Sequence, residues 1–104
     1  MKMTQCILSP KALRDLNDIS SYFAQQNIEA GERILALFTE KCTRLIGFPN
    51  MGKSYEFLRP GIRGIPLEGY IIFYRVIEID IIILRVVSGR QNLANLFVDG
   101  DEEN

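Results

Sequence analysis

The sequence predicts an α+β domain built from an N-terminal strand, an antiparallel helical hairpin, a three-stranded antiparallel meander and a short C-terminal segment. Residues 70–77 and 81–87 are two apolar runs rich in Ile, Val, Tyr and Phe, and the polar break between them predicts a β-hairpin. Neither run alternates with polar residues, as a strand with one solvated face would. Both faces of the sheet should therefore be covered, and two helices can cover only one.

The first strand and the first helix are predicted from a helix-capping residue and a helical pattern of apolar residues. Residues 2–8 predict a short strand. Ser9 followed by Pro10 predicts the start of a helix, because serine caps free N–H groups and proline has the φ of a first helical position. Apolar side chains then recur at helical spacing through about residue 26: Leu13, Leu16, Ile19 and Phe23.

A second helix is predicted from Asn27, its expected cap, to Gly47, where a glycine followed by Pro49 ends it. Its apolar stripe is Ile34 or Leu35, then Phe38, Cys42 and Leu45. Because only a few residues separate the two helices, they should run antiparallel.

The remaining chain supplies the meander and two terminal features. Residues 48–60 are turn-rich, and residues 61–67 predict a strand that Pro66 confines to an edge or a bend. Glu68-Gly69 predicts the turn into the apolar hairpin, and residues 93–97 predict one or two helical turns. We expect residues 1–98 to form one domain and the acidic residues 99–104 to be a disordered tail.

Composition narrows the function classes. The chain of 104 residues has no histidine, and its net charge is −1. Its two cysteines, Cys6 and Cys42, fit no metal-ligand spacing and are expected to be buried small hydrophobic residues. We therefore expect no metal and no cofactor. Charged residues interrupt every long apolar run, and no signal peptide is evident, so a cytoplasmic protein without membrane contact is predicted.

Charge and hydrophobicity together favour a protein-binding role. Four of the thirteen acidic residues lie in the tail, so the body is mildly positive, which is too little for strong direct nucleic-acid binding. The apolar strands imply a second sheet face without a helix over it. We expect this face to be covered by a partner.

Seven segments carry a resemblance to a known family. In chain order they are SPKA (9–12), DL (15–16), ISSY (19–22), LIGFPNMG (45–52), LRPGIR (58–63), YIIFYRV (70–76) and ILRVV (83–87), the last followed by GR (89–90). Their order and spacing resemble the ParE branch of the RelE/ParE superfamily of type II toxin–antitoxin systems. The resemblance implies a twisted antiparallel sheet backed by a helical hairpin. One stretch departs from it: relatives commonly have histidine-glycine-arginine-arginine where this chain has SGRQ at 88–91.

The resemblance also implies a function and partners. ParE-like toxins poison DNA gyrase, and a ParD-like antitoxin wraps its C-terminal segment around the toxin. For this chain the resemblance implies a heterotetramer or a larger complex. By this resemblance the second face of the sheet would contact the antitoxin through Ile71, Phe73, Arg75, Arg85 and Arg63. The C-terminal segment would contact the target through Arg90, Leu93, Leu96 and Phe97. The alternative for residues 93–97 is that they cap the open end of the core.

Three strand arginines leave an alternative open. Arg75 and Arg85 share one sheet face if Ile77 lies opposite Ile81, and a slip of one residue separates them. With Arg63 and Lys53 they could bind phosphate in a RelE-like, ribosome-dependent mRNA endonuclease. The simpler interpretation pairs the arginines with acids of an antitoxin or of this chain: Glu56, Glu68, Glu78 or Asp80. Because the chain has no histidine, no residue is an evident general acid or general base, so we expect no catalytic residue. A third hypothesis is a degenerate toxin that binds only its antitoxin.

Overall fold

One five-stranded sheet backed by two helices makes up the fold. The computed structural model describes residues 3–97. Its elements are, in chain order, β1 (Gln5–Leu8), α1 (Pro10–Gln26), α2 (Ile28–Gly47), β2 (Lys53–Ser54), β3 (Arg63–Leu67), β4 (Tyr70–Ile77), β5 (Asp80–Ser88) and a one-turn 3-10 helix (Leu93–Asn95). This confirms the predicted α+β class. The predicted acidic tail lies outside the described residues, and within them no helix is long and apolar enough to cross a membrane.

The sheet is mixed, with the strand order β1-β5-β4-β3-β2. Strands β2 to β5 are antiparallel neighbours, so the predicted meander is confirmed and gains a two-residue strand at one edge. At the other edge β1 pairs with β5 in parallel, with Cys6 opposite Ile81 and Leu8 opposite Ile83. A parallel pair needs a long crossover connection, and here the helical hairpin and three strands provide it.

Side-chain caps start both helices, as predicted. Ser9 Oγ accepts a hydrogen bond from the Ala12 N–H at 3.1 Å, and Asn27 Oδ1 accepts one from the Ala30 N–H at 3.1 Å. Asn27 is also the C-cap of α1, so a single residue connects the two helices. That short connection makes the helices antiparallel.

The predicted apolar stripe of α1 needs one correction. Leu13 is 53% exposed, whereas Ala12 is fully buried. The helix face that packs on the sheet is formed by Ala12, Leu16 and Ile19, a spacing of four and three residues. On α2 the alternative is settled in favour of Ile34, which is buried, over Leu35.

A β-bulge interrupts the pairing of the two longest strands. Tyr74 pairs with Ile83 and Phe73 pairs with Arg85, so Leu84 is an extra residue in β5. A bulge changes the alternation of side chains between the two sheet faces. Its position decides where Arg85 lies.

Apolar side chains form a core on each face of the sheet. The helix-side core joins α1 and α2 to the fully buried Ile72, Tyr74 and Ile83. The opposite core consists of Ile62, Phe73, Leu84, Val87, Leu96 and Phe97. The expectation that this second face needs a partner is therefore wrong over its central area, because the chain's own C-terminal segment folds back over Phe73.

Candidate functional site

Arg85 is bound by Asp15 of α1 on the helix side of the sheet. Its Nε donates to Asp15 Oδ2 at 2.8 Å and its Nη2 donates to Asp15 Oδ1 at 3.1 Å, which is a bidentate pair. The same carboxylate accepts a hydrogen bond from the Val86 N–H at 2.8 Å, so this N–H beside the bulge has its acceptor on α1. The ion-pair partner is thus an acid that the sequence interpretation did not consider.

Ser9, at the start of α1, forms hydrogen bonds to the same bulge. Its N–H donates to the Ile83 carbonyl at 2.9 Å, and its Oγ donates to the Leu84 carbonyl at 3.0 Å. Ser9 is buried, so these bonds form away from bulk water. One residue therefore caps the helix and positions it on β5.

A cavity of about 310 Å³ opens beside this contact. Lys11, Arg14, Asp15 and Arg85 line it. Three cations against one carboxylate make its mouth electropositive. No sequence pattern predicts this grouping, because Lys11 and Arg14 become neighbours of Arg85 only when α1 docks on β5.

Arg63 and Tyr74 organise the loop that follows α2. Arg63 Nη1 donates to the Gly52 carbonyl at 2.8 Å and to the Asn50 carbonyl at 3.4 Å. The Tyr74 hydroxyl donates to the Pro49 carbonyl at 2.7 Å and accepts from the Gly52 N–H at 3.0 Å. Burial raises the pKa of Tyr74, although the Gly52 hydrogen bond and the Arg63 charge oppose the rise. Arg63 thus serves the loop's own backbone.

Arg75 lies apart from the other two arginines. Ile77 lies opposite Asp80 and not opposite Ile81. The register at this end of the hairpin is therefore not the one that would place Arg75 and Arg85 on the same face. Arg75 pairs with Ile82 and shares a face with Phe73 by strand alternation, whereas Arg85 reaches α1. Arg75 is half-buried, and within residues 3–97 no hydrogen bond or ion pair engages its guanidinium.

The two apolar residues expected to contact the antitoxin differ in exposure. Ile71 is half-buried at the rim of the second core. Phe73 is fully buried and packs edge to face against Tyr55 and Phe97, with ring centroids 5.0 Å and 5.4 Å away. The expectation that Phe73 presents its ring to a partner needs correction, because the chain itself already covers that ring.

The C-terminal residues expected to contact a target have two different roles in the structure. Leu96 and Phe97 are 4% and 8% exposed and belong to the second core, so at these two residues the structure favours the alternative in which the segment caps the core. Arg59 Nη1 fixes the segment by donating to the Phe97 carbonyl at 3.0 Å. Arg90 is exposed and Leu93 is half-buried, so these two remain accessible.

Exposed apolar side chains outside the predicted sites form a groove on the helical hairpin. Tyr22, Ile28 and Leu35 are 57%, 63% and 37% exposed. A shallow cavity of about 260 Å³ lies here, lined by Ser20, Ala24, Ile28, Gly31, Glu32 and Leu35. Helical periodicity identified the inner stripes of both helices but did not predict that their outer faces would be apolar as well.

The geometry of the four residues proposed for an endonuclease gives that hypothesis little support. Lys53 lies on the edge strand β2, with its Nζ 5.3 Å from the centroid of the Tyr55 ring. Arg85 and Arg63 are bound to Asp15 and to loop carbonyls. In the part of the chain that the structure describes, no group of three His, Cys, Asp or Glu side chains could hold a metal ion.

Comparison with known proteins matches most of the chain. The family model described as "ParE toxin of type II toxin-antitoxin system, parDE" matches residues 6–93. A curated relative, Toxin ParE3 of Caulobacter vibrioides, is 41% identical over 51 residues, which is 49% of this chain and 51% of the relative. This chain therefore aligns with only about half the length of that relative.

A solved structure is similar over most of this chain and nearly all of its own chain. It is described as a chromosomal ParDE TA system from P. aeruginosa, and it superposes with a TM-score of 0.70 at 25% identity, covering 83% of this chain and 96% of that chain. The family match spans the strands, both helices and the Asp15–Arg85 contact. The chain belongs to the ParE toxin family of type II toxin–antitoxin systems.

Proposed function

We propose that this chain poisons DNA gyrase when it is free of its antitoxin, and that it acts by binding rather than by catalysis. Membership of the ParE family supports gyrase as the target. The observation that carries the binding mechanism is the Asp15–Arg85 pair, because its bidentate geometry occupies the guanidinium that a nuclease would need for phosphate. Arg63 is occupied in the same way by loop carbonyls.

The antitoxin surface that we propose is the uncovered end of the second sheet face. Ile77 is 45% exposed there, and Ile82 is half-buried beside Arg75. Beyond this point the C-terminal segment covers the face, so an added segment would extend the existing second core. The surface combines apolar side chains with one cation, which suits a partner segment that carries apolar residues and a carboxylate.

This proposal narrows the set of antitoxin contacts. Arg75 and Ile71 have side chains available to a partner, whereas Phe73 would support the surface from beneath. Arg63 and Arg85 would position neighbouring elements. The antitoxin would be ParD-like, in a heterotetramer or a larger complex.

The target surface that we propose is the turn at the end of β5. Arg90 is exposed at this turn and Leu93 is half-buried beside it. Leu96 and Phe97 would hold the segment in place through the second core, and the Arg59 bond to the Phe97 carbonyl adds a polar anchor. Ser88 and Gln91 flank Arg90 where relatives commonly have basic residues, so Arg90 would be the principal cation.

A supercoiling assay tests the proposal. Purified chain is titrated into DNA gyrase, relaxed plasmid and ATP, and the products are separated after detergent treatment. We expect loss of supercoiling together with linear DNA that remains linked to protein. Addition of the cognate antitoxin should reverse both effects. Undiminished supercoiling at a large molar excess would contradict gyrase as the target.

A translating extract provides the second arm of the test. The same protein is added and the mRNA is mapped by primer extension. Intact mRNA is expected. Cleavage within the ribosomal A site would instead support the endonuclease, and an inactive protein in both assays that still binds its antitoxin would indicate a degenerate toxin.

A further inference from the structure

Two thiols from distant parts of the chain meet between β1 and α2. Cys6 lies on the edge strand and Cys42 lies on the helix, and both pack against the helix-side core. One turn after Cys42, the Ile46 carbonyl accepts a hydrogen bond from the Met3 N–H at 3.0 Å, which holds the approach to β1 against the end of the helix. This bond holds the strand and the helix together close to the cysteine pair.

The two thiols have different chemical characters. The neighbouring Cys42 side chain lowers the pKa of Cys6, although burial opposes the effect. The Cys6 side chain, together with burial, raises the pKa of Cys42. Of the two thiols, Cys6 therefore ionises first, and the thiolate is the form of cysteine that reacts with oxidants.

We propose that Cys6 and Cys42 are an oxidation site at which a reversible disulfide joins β1 to α2. With hydrogen peroxide as oxidant, the Cys6 thiolate attacks one peroxide oxygen, the O–O bond breaks, the leaving hydroxide takes up a proton, and the products are a sulfenic acid and water. The Cys42 sulfur then attacks the sulfenic sulfur, an S–S bond forms and a second water leaves with the Cys42 proton. A dithiol reductant returns both thiols and is itself oxidised.

The surroundings of the pair favour a disulfide over other fates. Both cysteines are half-buried, so a small peroxide can reach them while a second protein chain is hindered. Both side chains pack on the same core and each perturbs the pKa of the other, so the thiols are neighbours, and the disulfide would draw the sulfurs to about 2.05 Å. Within residues 3–97 no third metal-ligating side chain joins them, which disfavours a metal site.

The disulfide would link the edge strand β1 covalently to α2. Within the sheet, β1 has β5 as its single neighbour, so it is held by one ladder. A bond to α2 closes a loop that contains all of α1, and such a loop restricts the unfolded chain. Oxidised protein should therefore unfold at a higher temperature than reduced protein.

Thiol counting and peptide mapping test the site directly. The full-length chain is treated with hydrogen peroxide, free thiols are alkylated with iodoacetamide, and the intact mass is measured before non-reducing digestion. We expect a monomer that has lost two hydrogen atoms and takes no alkyl group, with the peptides of Cys6 and Cys42 linked. Dithiothreitol should restore two alkylatable thiols. Two free thiols after treatment, or only intermolecular dimers, would overturn the proposal.

Two variants separate the roles of the cysteines. In Cys42→Ser, Cys6 should still be oxidised but should stop at the sulfenic or a higher oxide, which a dimedone label and the mass will report. In Cys6→Ser, Cys42 should react several-fold more slowly. The midpoint temperature should rise by several degrees on oxidation of the native chain and in neither variant. An unchanged midpoint in the disulfide form would overturn the role of the bond in fastening β1.

Discussion

Asp15 and Arg85, on the first helix and the last strand, form a bidentate ion pair whose carboxylate also accepts the Val86 N–H. The side chains are 13% and 20% exposed, so water competes weakly for their hydrogen bonds. The pair thus joins the start of the fold to a bulge near its end.

Replacing Asp15 should cost substantial stability. In Asp15→Ala the Arg85 guanidinium and the Val86 N–H both lose their acceptor, and we expect a loss of about 2–4 kcal/mol in the free energy of unfolding. Urea denaturation followed by circular dichroism measures it. Arg14→Ala, at the exposed neighbouring position, is the control and should change stability by less than about 0.5 kcal/mol. Equal effects in the two variants would refute a structural role for the pair.

Tyr74 should control stability at high pH. Burial raises its pKa above the ordinary value of 10.0, so the folded state favours the protonated hydroxyl. Its contribution is complete below pH 10 and is lost as the pH rises through the folded-state pKa, because the unfolded chain ionises first. Tyr74→Phe should lower stability at neutral pH by about 1–2 kcal/mol through the lost bonds to Pro49 and Gly52.

The alkaline part of this prediction needs a comparison of slopes. Stability of the native chain and of Tyr74→Phe is measured from pH 8 to 11, and the difference should shrink above pH 10. Tyr22→Phe, at a side chain that is 57% exposed, serves as the matched control. A constant difference across the range would show that Tyr74 does not titrate differently in the two states.

Two glycines of α2 should respond oppositely to alanine. A Cβ at Gly31 would lie 2.8 Å from Phe23 Cβ, whereas a Cβ at Gly47 would meet nothing within 4 Å. Gly31→Ala should therefore destabilise the helical hairpin by about 1–3 kcal/mol. Gly47→Ala should be neutral or stabilising by up to about 1 kcal/mol, because alanine is the better helix former. Thermal unfolding of both variants checks the pair, and the same sign in both would be inconsistent with close α1–α2 packing.

Phe97 should be required for cover of the second face. Phe97→Ala removes the ring that packs on Phe73, and we expect a loss of about 3–5 kcal/mol with new binding of a hydrophobic dye. Phe57→Ala is the control, since Phe57 is 75% exposed. Were dye binding unchanged in Phe97→Ala, the C-terminal segment would not be what covers this face.

Arg75 should be needed for antitoxin binding more than for folding. Arg75→Glu reverses the one cation on the proposed surface, so affinity for the antitoxin should fall at least tenfold, about 1.4 kcal/mol. Isothermal titration calorimetry measures the affinity, and the thermal midpoint of the free chain should change little. Arg33→Glu, on α2 and paired with Glu68, is the control away from this surface. A loss of binding confined to the control would place the antitoxin elsewhere.

Local rules predicted the helices and the hairpin well. The caps at Ser9 and Asn27 and the turn at Glu68-Gly69 depend on neighbouring residues, and all three form as expected. The positive φ of both Glu68 and Gly69 is typical of a two-residue hairpin turn.

The arginine contacts could not be predicted in this way. The partner of Arg85 depends on a bulge at Leu84 and on how α1 docks against β5, and both are non-local. Cover of the second face by the C-terminal segment stayed one of two alternatives for a related reason. Apolar strands show that a face is covered, but Leu96 and Phe97 cover it only because the chain turns back after Ser88.

The parallel pairing of β1 with β5 sets the order in which the molecule can be completed during synthesis. The first strand leaves the ribosome before α1, yet its partner strand is made only after both helices and three other strands. The bonds from Ser9 to Ile83 and Leu84 impose the same delay on the first helix. All the elements between β1 and β5 must therefore be released before the sheet can close, and contacts this distant in sequence slow folding.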